Sequence, residues 1–251
     1  MPNVNVRNGR KSLALCASAL ICALTISPVP AASNKAVDAL KLTQTHNYWG
    51  RNETTISAQG IRIDNLDRMH FSLVARSPDW TVTVFRDDDK KYIKRTFAQF
   101  IAGGLVSQFM FKNENRKFGQ PGLFKDKKID AVTVKEFKTN KFDCQYIPLG
   151  KMNTPQLEEI LFAFYRSPTN GGIPVAYSKT REGRDWMTGL DRTGDKKMIL
   201  STSNAEQTKV APSIFDPPKN YKLATAMQDV LMSKENRAAS DDADQIIDSG
   251  R

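Results

Sequence analysis

The stretch "VAPSIFDPPKNYK", Val210–Lys222, closes an apolar segment on Ile214 and Phe215, stops it with Pro217-Pro218 and places an aromatic residue, Tyr221, just beyond. Proline has no amide proton to give to a ladder, so Pro212, Pro217 and Pro218 belong at a sheet edge or past a strand end. The stretch therefore predicts the close of a final strand. Val210, Ile214 and Phe215 turn against the core, with Phe215 buried at the strand end, and Pro217-Pro218 terminate the ladder. Tyr221 anchors the returning chain, its hydroxyl on a polar partner or in solvent.

Upstream, from Thr54 onward, the chain reads as extended runs joined by short polar turns. In "TTISAQGIRI" Ile56 and Ala58 share a face, and Gly60 interrupts before Ile61 and Ile63 as at a bulge or bend. After the turn "DNLDR", Met69, Phe71, Leu73 and Ala75 alternate with His70, Ser72 and Val74. After "SPD", Trp80, Val82 and Val84 alternate with threonines, and "RDDDKK" turns the chain into "YIKRTF". Period-2 runs with such connections predict an antiparallel meander. "DAVTVKEF", "FDCQYIP", "IPVAYSKT", "RDWMTGLDR", "KKMILSTSN" and "QTKVAPSIF" extend the pattern, with turns near Glu182-Gly183 and Thr193-Gly194.

Three segments change period. In "FAQFIAGGLVSQFM" the residues Phe97, Phe100, Ile101, Gly104 and Leu105 recur at helical spacing, weakened by Gly103-Gly104. "TPQLEEILFAFYRS" is the strongest helix, with Thr154 as N-cap, Pro155 at the first helical position and Glu158 and Glu159 near the positive helix end. Leu157, Ile160, Leu161, Phe164 and Tyr165 form its apolar stripe, and "SPTNGG" stops it. "LATAMQDVLMSKENR" predicts a third helix, with Leu223, Met227, Val230 and Leu231 on one side; the acidic "AASDDADQIIDSGR" reads as a frayed tail. "KNENRKFGQPGLFKDKK" reads as a basic, glycine-containing loop.

The N-terminus differs in kind. Arg7, Arg10 and Lys11 precede the apolar "LALCASALICALTI", Leu13–Ile26, and then "SPVPAAS". A basic start, a short apolar core and small residues predict a secretory signal peptide cut near Ala31 or Ala32. The core is shorter than a bilayer span requires, and neither Cys16 nor Cys22 follows a small residue, as a lipidated cysteine would. The expected organisation is a signal peptide over 1–31, one domain over 47–222, and a C-terminal helix and tail over 223–251. Removing 1–31 takes three of the 37 basic side chains and none of the 27 acidic ones, leaving +7. It also leaves Cys144 alone, so no internal disulfide forms. A free cysteine is most often buried; an intermolecular bridge and a nucleophile are the other readings.

The signal peptide, the meander, a helix, and then "GIPVAYSKT" through "MILSTSNAEQTKVAPSIFDPPKNYK" together resemble the periplasmic lipoprotein-carrier (LolA-like) superfamily, over about Asn47 to Lys222. Asn220-Tyr221 stands where a Gly-Tyr pair is commoner. The resemblance implies an α+β fold: a strongly curved antiparallel sheet, an incomplete β-barrel, with helices covering its concave face. It further implies an apolar cavity of the kind used for acyl chains, and a periplasmic or extracellular location. Its lining is then expected from Phe97, Phe100, Ile101, Leu105, Leu157, Leu161, Phe164, Tyr165 and Trp80. The same aromatic stripes serve equally as a filled core, and the residues alone leave the two open.

Catalytic patterns are sparse. Beyond the signal, only His46 and His70 join Cys144, too few for a common structural zinc site, and no His-Glu-x-x-His occurs. Gly-x-Ser-x-Gly, a phosphate loop and a dinucleotide fingerprint are lacking. Asp87-Asp88-Asp89 does not have calcium-loop spacing and reads as a solvated turn. Glu158 and Glu159 are adjacent on a helix and point apart, and the flanks of a Cys144–His70 pair do not support a nucleophile. The expectation is a non-enzymatic exported binding protein with no cofactor, its ligand a lipid or other apolar molecule. The alternative is an envelope interaction protein with a filled core. The dispersed basic residues point to an anionic envelope surface rather than to nucleic acid.

Overall fold

Upstream of Thr54, where the extended runs were expected to begin, β1 (Val37–His46) forms the middle of the sheet. Its signal is alternation: Leu40, Leu42, Gln44 and His46 are buried, while Lys41 and Thr43 are half-buried and Thr45 faces solvent. Two of the four inward residues are polar, which hides the strand from a hydrophobic pattern. A computed structural model of the chain describes residues 35–67, 69–105, 115–117, 124–152, 154–181, 183, 187–190 and 193–233, all within the unit Asn34–Arg251. The expected signal peptide and acidic tail lie outside these residues, as does "VSQFM" after Leu105.

Five strands follow β1 as a meander: β2 (Gly50–Ser57), β3 (Gly60–Asn65), β4 (Ser72–Arg76), β5 (Val82–Arg86) and β6 (Lys91–Arg95). A second meander comprises β7 (Phe124–Ile129), β8 (Val132–Lys138), β9 (Phe142–Pro148), β10 (Gly172–Thr180) and β11 (Lys196–Val210). β11 pairs antiparallel with β1, joining the two. β12 (Lys222–Leu223) adds a parallel edge to β6, so the order is β12-β6-β5-β4-β3-β2-β1-β11-β10-β9-β8-β7. The two ends do not pair. The fold is α+β, an open antiparallel sheet curved as an incomplete barrel around helices on its inner face.

Register sets the faces. Leu42, Thr54, Ile63, Leu73, Val84 and Ile93 stand opposite one another in one inner row across β1 to β6. Against this face pack α1 (Phe97–Gly103), α2 (Pro155–Tyr165) and α3 (Gln228–Leu231). Trp49 fixes α2 to the sheet: its ring stacks on Phe164 with centroids 5.3 Å apart, and its Nε1–H donates to the Phe164 carbonyl at 3.0 Å. The Tyr165 hydroxyl meets Thr54 Oγ1 at 3.1 Å.

On the opposite face, Arg62, Val74, Thr83 and Lys94 form a row, and Asp64, Ser72, Phe85 and Tyr92 form the next. The opening stretch covers part of this face. β11 ends at Val210, and Pro212–Phe215 is a 3-10 turn rather than strand. Phe215 is fully buried at that turn, ahead of Pro217-Pro218, and lies so close to β3 that a Cβ on Gly60 would sit 2.7 Å from its ring. Tyr221 follows, its ring edge-on to Phe85 at 6.0 Å and its hydroxyl donating to Asp87 at 2.7 Å.

Several expectations are corrected. Gly60 is not a bulge: Ala58-Gln59 turns "TTISAQGIRI" into the β2–β3 hairpin. The downstream part of the basic loop is β7, an edge strand whose lysines face solvent, as edges commonly do. α1 stops at Gly104, whose φ of +62° reverses the chain. "KKMILSTSN" and "QTKVAPSIF" begin one strand of 15 residues, not two, and Met187–Leu190 is turn rather than strand. Leu223 lies in β12 and is exposed, so the third helix is confined to four residues. Thr154 flanks α2 as expected, yet its hydroxyl donates to the Met152 carbonyl rather than capping the helix.

Candidate functional site

Along the end of the β1–β11 ladder runs a groove of about 540 Å³, within the range of small-molecule sites. Leu40 and Ala39 of β1 form one wall, paired with Gln207 and Thr208 of β11. Val132 of β8, Ile147 of β9 and Met152 form the other. Leu40, Val132 and Ile147 belong to the central apolar core, against which Met152 packs, so the groove floor is continuous with the interior. Asp38 and Lys209 stand at the rim, 3.9 Å apart and highly exposed. Such a pair contributes little stability and is free to swing.

Local chemistry places these side chains. The β7–β8 turn at Asp130 takes a φ of +50°, and the Asp130 carboxylate accepts the Ala205 N–H at 2.9 Å. That bond ties the turn to β11 and sets Val132 facing Leu40. Met152 ends a 3-10 turn begun by Gly150 at φ +53°, and its carbonyl is held by the Thr154 hydroxyl. A thioether there adapts readily to irregular apolar shapes.

The nine residues expected to line a cavity converge in one place, and that place is the packed core. Phe100, Leu105, Leu157, Leu161, Phe164, Tyr165 and Trp80 are buried in it, with Phe97 and Ile101 half-buried against it. None of them lines the groove. Burial pushes the Tyr165 hydroxyl above its ordinary pKa, partly offset by the bond to Thr54. Sequence reading missed Leu40 and Ala39 because β1 was missed, and missed Val132 and Ile147 because their strands carry few large apolar residues.

A second, polar cleft of about 470 Å³ lies by the β3–β4 and β5–β6 turns. Arg62 Nε donates to Asp64 at 2.8 Å, Arg86 pairs with Asp88 at 2.6 Å, and Asp87 takes the Tyr221 hydroxyl. These pairs tie the turns together. Asp87–Lys90 is the turn expected of the aspartate run, and among the described residues no group of three or more His, Cys, Asp or Glu side chains is placed to hold a metal.

Cys144 is fully buried, its Sγ–H donating to the Pro168 carbonyl at 3.7 Å. Burial pushes its pKa up to about 12, so it remains a thiol at neutral pH. His70 is exposed beside β4, with five strands between it and β9 in the sheet order. Glu158 and Glu159 do share a partner: Arg116 reaches one through Nε and the other through Nη1, both at 3.3 Å. Glu158 is buried and also accepts the Thr169 hydroxyl. This network ties Arg116 to α2.

No protein-family model and no curated protein matches this sequence. Among solved structures, a LolA superfamily protein from Nitrosomonas europaea is similar to this chain at 10% identity, with a TM-score of 0.25, over 74% of this chain and 91% of that one.

Proposed function

We propose that this chain is an exported, non-enzymatic binding protein that takes the acyl or other apolar part of a ligand into the groove between β1, β8, β9 and β11. The observation that carries this reading is the groove itself: a concave apolar floor of Leu40, Val132, Ile147 and Met152, open to solvent and continuous with the core. An apolar ligand seated there leaves water at roughly 25 cal/mol per Å² of covered surface. Its polar end stays at the rim beside Asp38 and Lys209. The nine core residues belong to the packed interior with which the groove floor is continuous.

Export follows from the signal peptide over 1–31, and the ligand-binding domain extends from β1 to the Tyr221 return. Native mass spectrometry of protein taken from its own envelope tests the reading, with Ile147→Trp as the variant that fills the groove. The expected result is a bound apolar species on the parent and its loss from Ile147→Trp, with a cooperative urea transition showing that the variant still folds. A bound species that survives in Ile147→Trp places the ligand elsewhere. A chain that arrives empty and takes up no fatty acid is not a carrier.

A further inference from the structure

At the far end of β11 from the groove, the β10–β11 connection ends in exposed apolar side chains: Met187 is 74% exposed and Leu190 61%. Two hydrogen bonds close the base of the connection. Arg181 N–H donates to the Asp195 carbonyl at 2.8 Å, and Gly183 N–H donates to Thr193 Oγ1 at 3.2 Å. Beneath the loop the two strands place Lys179 directly opposite Lys197. The pair sets two positive charges side by side at the base of the loop. Lys141 joins them, because its carbonyl accepts the Thr180 N–H at 2.8 Å, and Lys196 lies one residue before Lys197, held by Asp143 at 2.6 Å.

We propose that this end of the sheet docks on an anionic lipid bilayer, with Met187 and Leu190 entering the interface and Lys141, Lys179, Arg181 and Lys197 meeting the headgroups. Interfacial binding scales with buried apolar area plus attraction to anionic lipid, and this surface offers both. A purely electrostatic partner has no use for the two apolar side chains. The connection's remaining charges, Glu182, Arg184, Asp185, Asp191, Arg192 and Asp195, sum to −2, fewer than the positive charges of Lys141, Lys179, Arg181 and Lys197, which set the sign. β11 separates this end from the groove by roughly 40 Å; the docking surface therefore stands independently of the ligand reading.

Co-sedimentation tests it, using vesicles of one part phosphatidylglycerol to two parts phosphatidylcholine beside vesicles of phosphatidylcholine alone. The parent chain is expected to follow the anionic vesicles only, and less so as salt screens the lysines. Met187→Ser with Leu190→Ser, and separately Lys179→Gln with Lys197→Gln, should each weaken binding by about tenfold or more. Met187, Leu190 and Lys197 are exposed and Lys179 is half-buried, so urea midpoints are measured beside binding, and Met187→Ser alone serves as the milder variant. Equal binding to neutral vesicles overturns the proposal, as does wild-type binding by both variants. Retention on an anionic polysaccharide with no binding to vesicles overturns it too. Ile147→Trp should bind vesicles normally, so failure of the groove reading and failure of this one are separable.

Discussion

The strands β3 to β6 and the strands β7 to β9 are built to the same hairpin plan and are treated very differently by the rest of the chain. In β5 all five residues are buried, and in β4 four of five. In β7 none is buried. The difference is cover. The first region has helices on its inner face and the Phe215–Tyr221 segment on its outer face, whereas the second keeps an exposed edge and a groove. A sheet covered on both sides is a structural anchor, and one left partly uncovered has surface to offer a ligand. That contrast explains why the last stretch of the domain carries Phe-Asp-Pro-Pro: it seals the outer face of β3 and β4.

Substitutions can break the comparison, beginning with the largest effect. Phe215→Ala should cost about 3–5 kcal/mol in urea denaturation, since it removes a fully buried ring; the exposed Phe124→Ala on β7 should cost well under 1 kcal/mol. Equal losses would erase the distinction between covered and uncovered regions. Next, Gly60→Ala forces a methyl to 2.8 Å from the Ala75 carbonyl as well as onto Phe215, an overpacking expected to cost about 1–3 kcal/mol. A neutral result would mean that Phe215 does not press on β3.

Alkaline pH sharpens the same picture. Cys144, beneath the second region, has its folded pKa raised from 9.0 to about 12 by burial. The unfolded chain releases this proton first, so the associated stability is fully present below pH 9.0 and is lost as pH rises toward about 12. The slope is at most about 1.4 kcal/mol per pH unit. Cys144→Ala should flatten the alkaline arm of a stability–pH profile, and an unchanged arm would mean that the thiol is not buried as described. Smallest of all, Asp216→Ala removes the partly exposed pair with Arg76 and should cost no more than about 1 kcal/mol.

Much of this was legible in the residues. The meander from β4 to β6, the α2 stripe and the burial of Phe215 follow from period and proline chemistry. Tyr221 found its polar partner in Asp87. The misses share one cause: side chains whose role is set by a partner that hydrophobic periodicity does not show. Gln44 and His46 look wrong for an inward strand until Gln44 Nε2 is seen donating to the Pro174 carbonyl at 2.9 Å, and His46 Nδ1 accepting the N–H groups of Tyr48 and Trp49. β7 looks like a loop because its lysines need only an edge. The groove was hidden for a related reason. Its walls come from four strands and a turn, and no one of them carries an aromatic stripe.

The account places an apolar ligand in the less covered region and leaves the sealed one unmoved. A methyl-labelled NMR titration with a fatty acid tests this most directly. Shifts should concentrate at Leu40, Val132, Ile147 and Met152, while Ile61, Ile63, Leu73 and Val84 stay fixed. Shifts centred on that second set, or none at any methyl of the groove, would contradict the account.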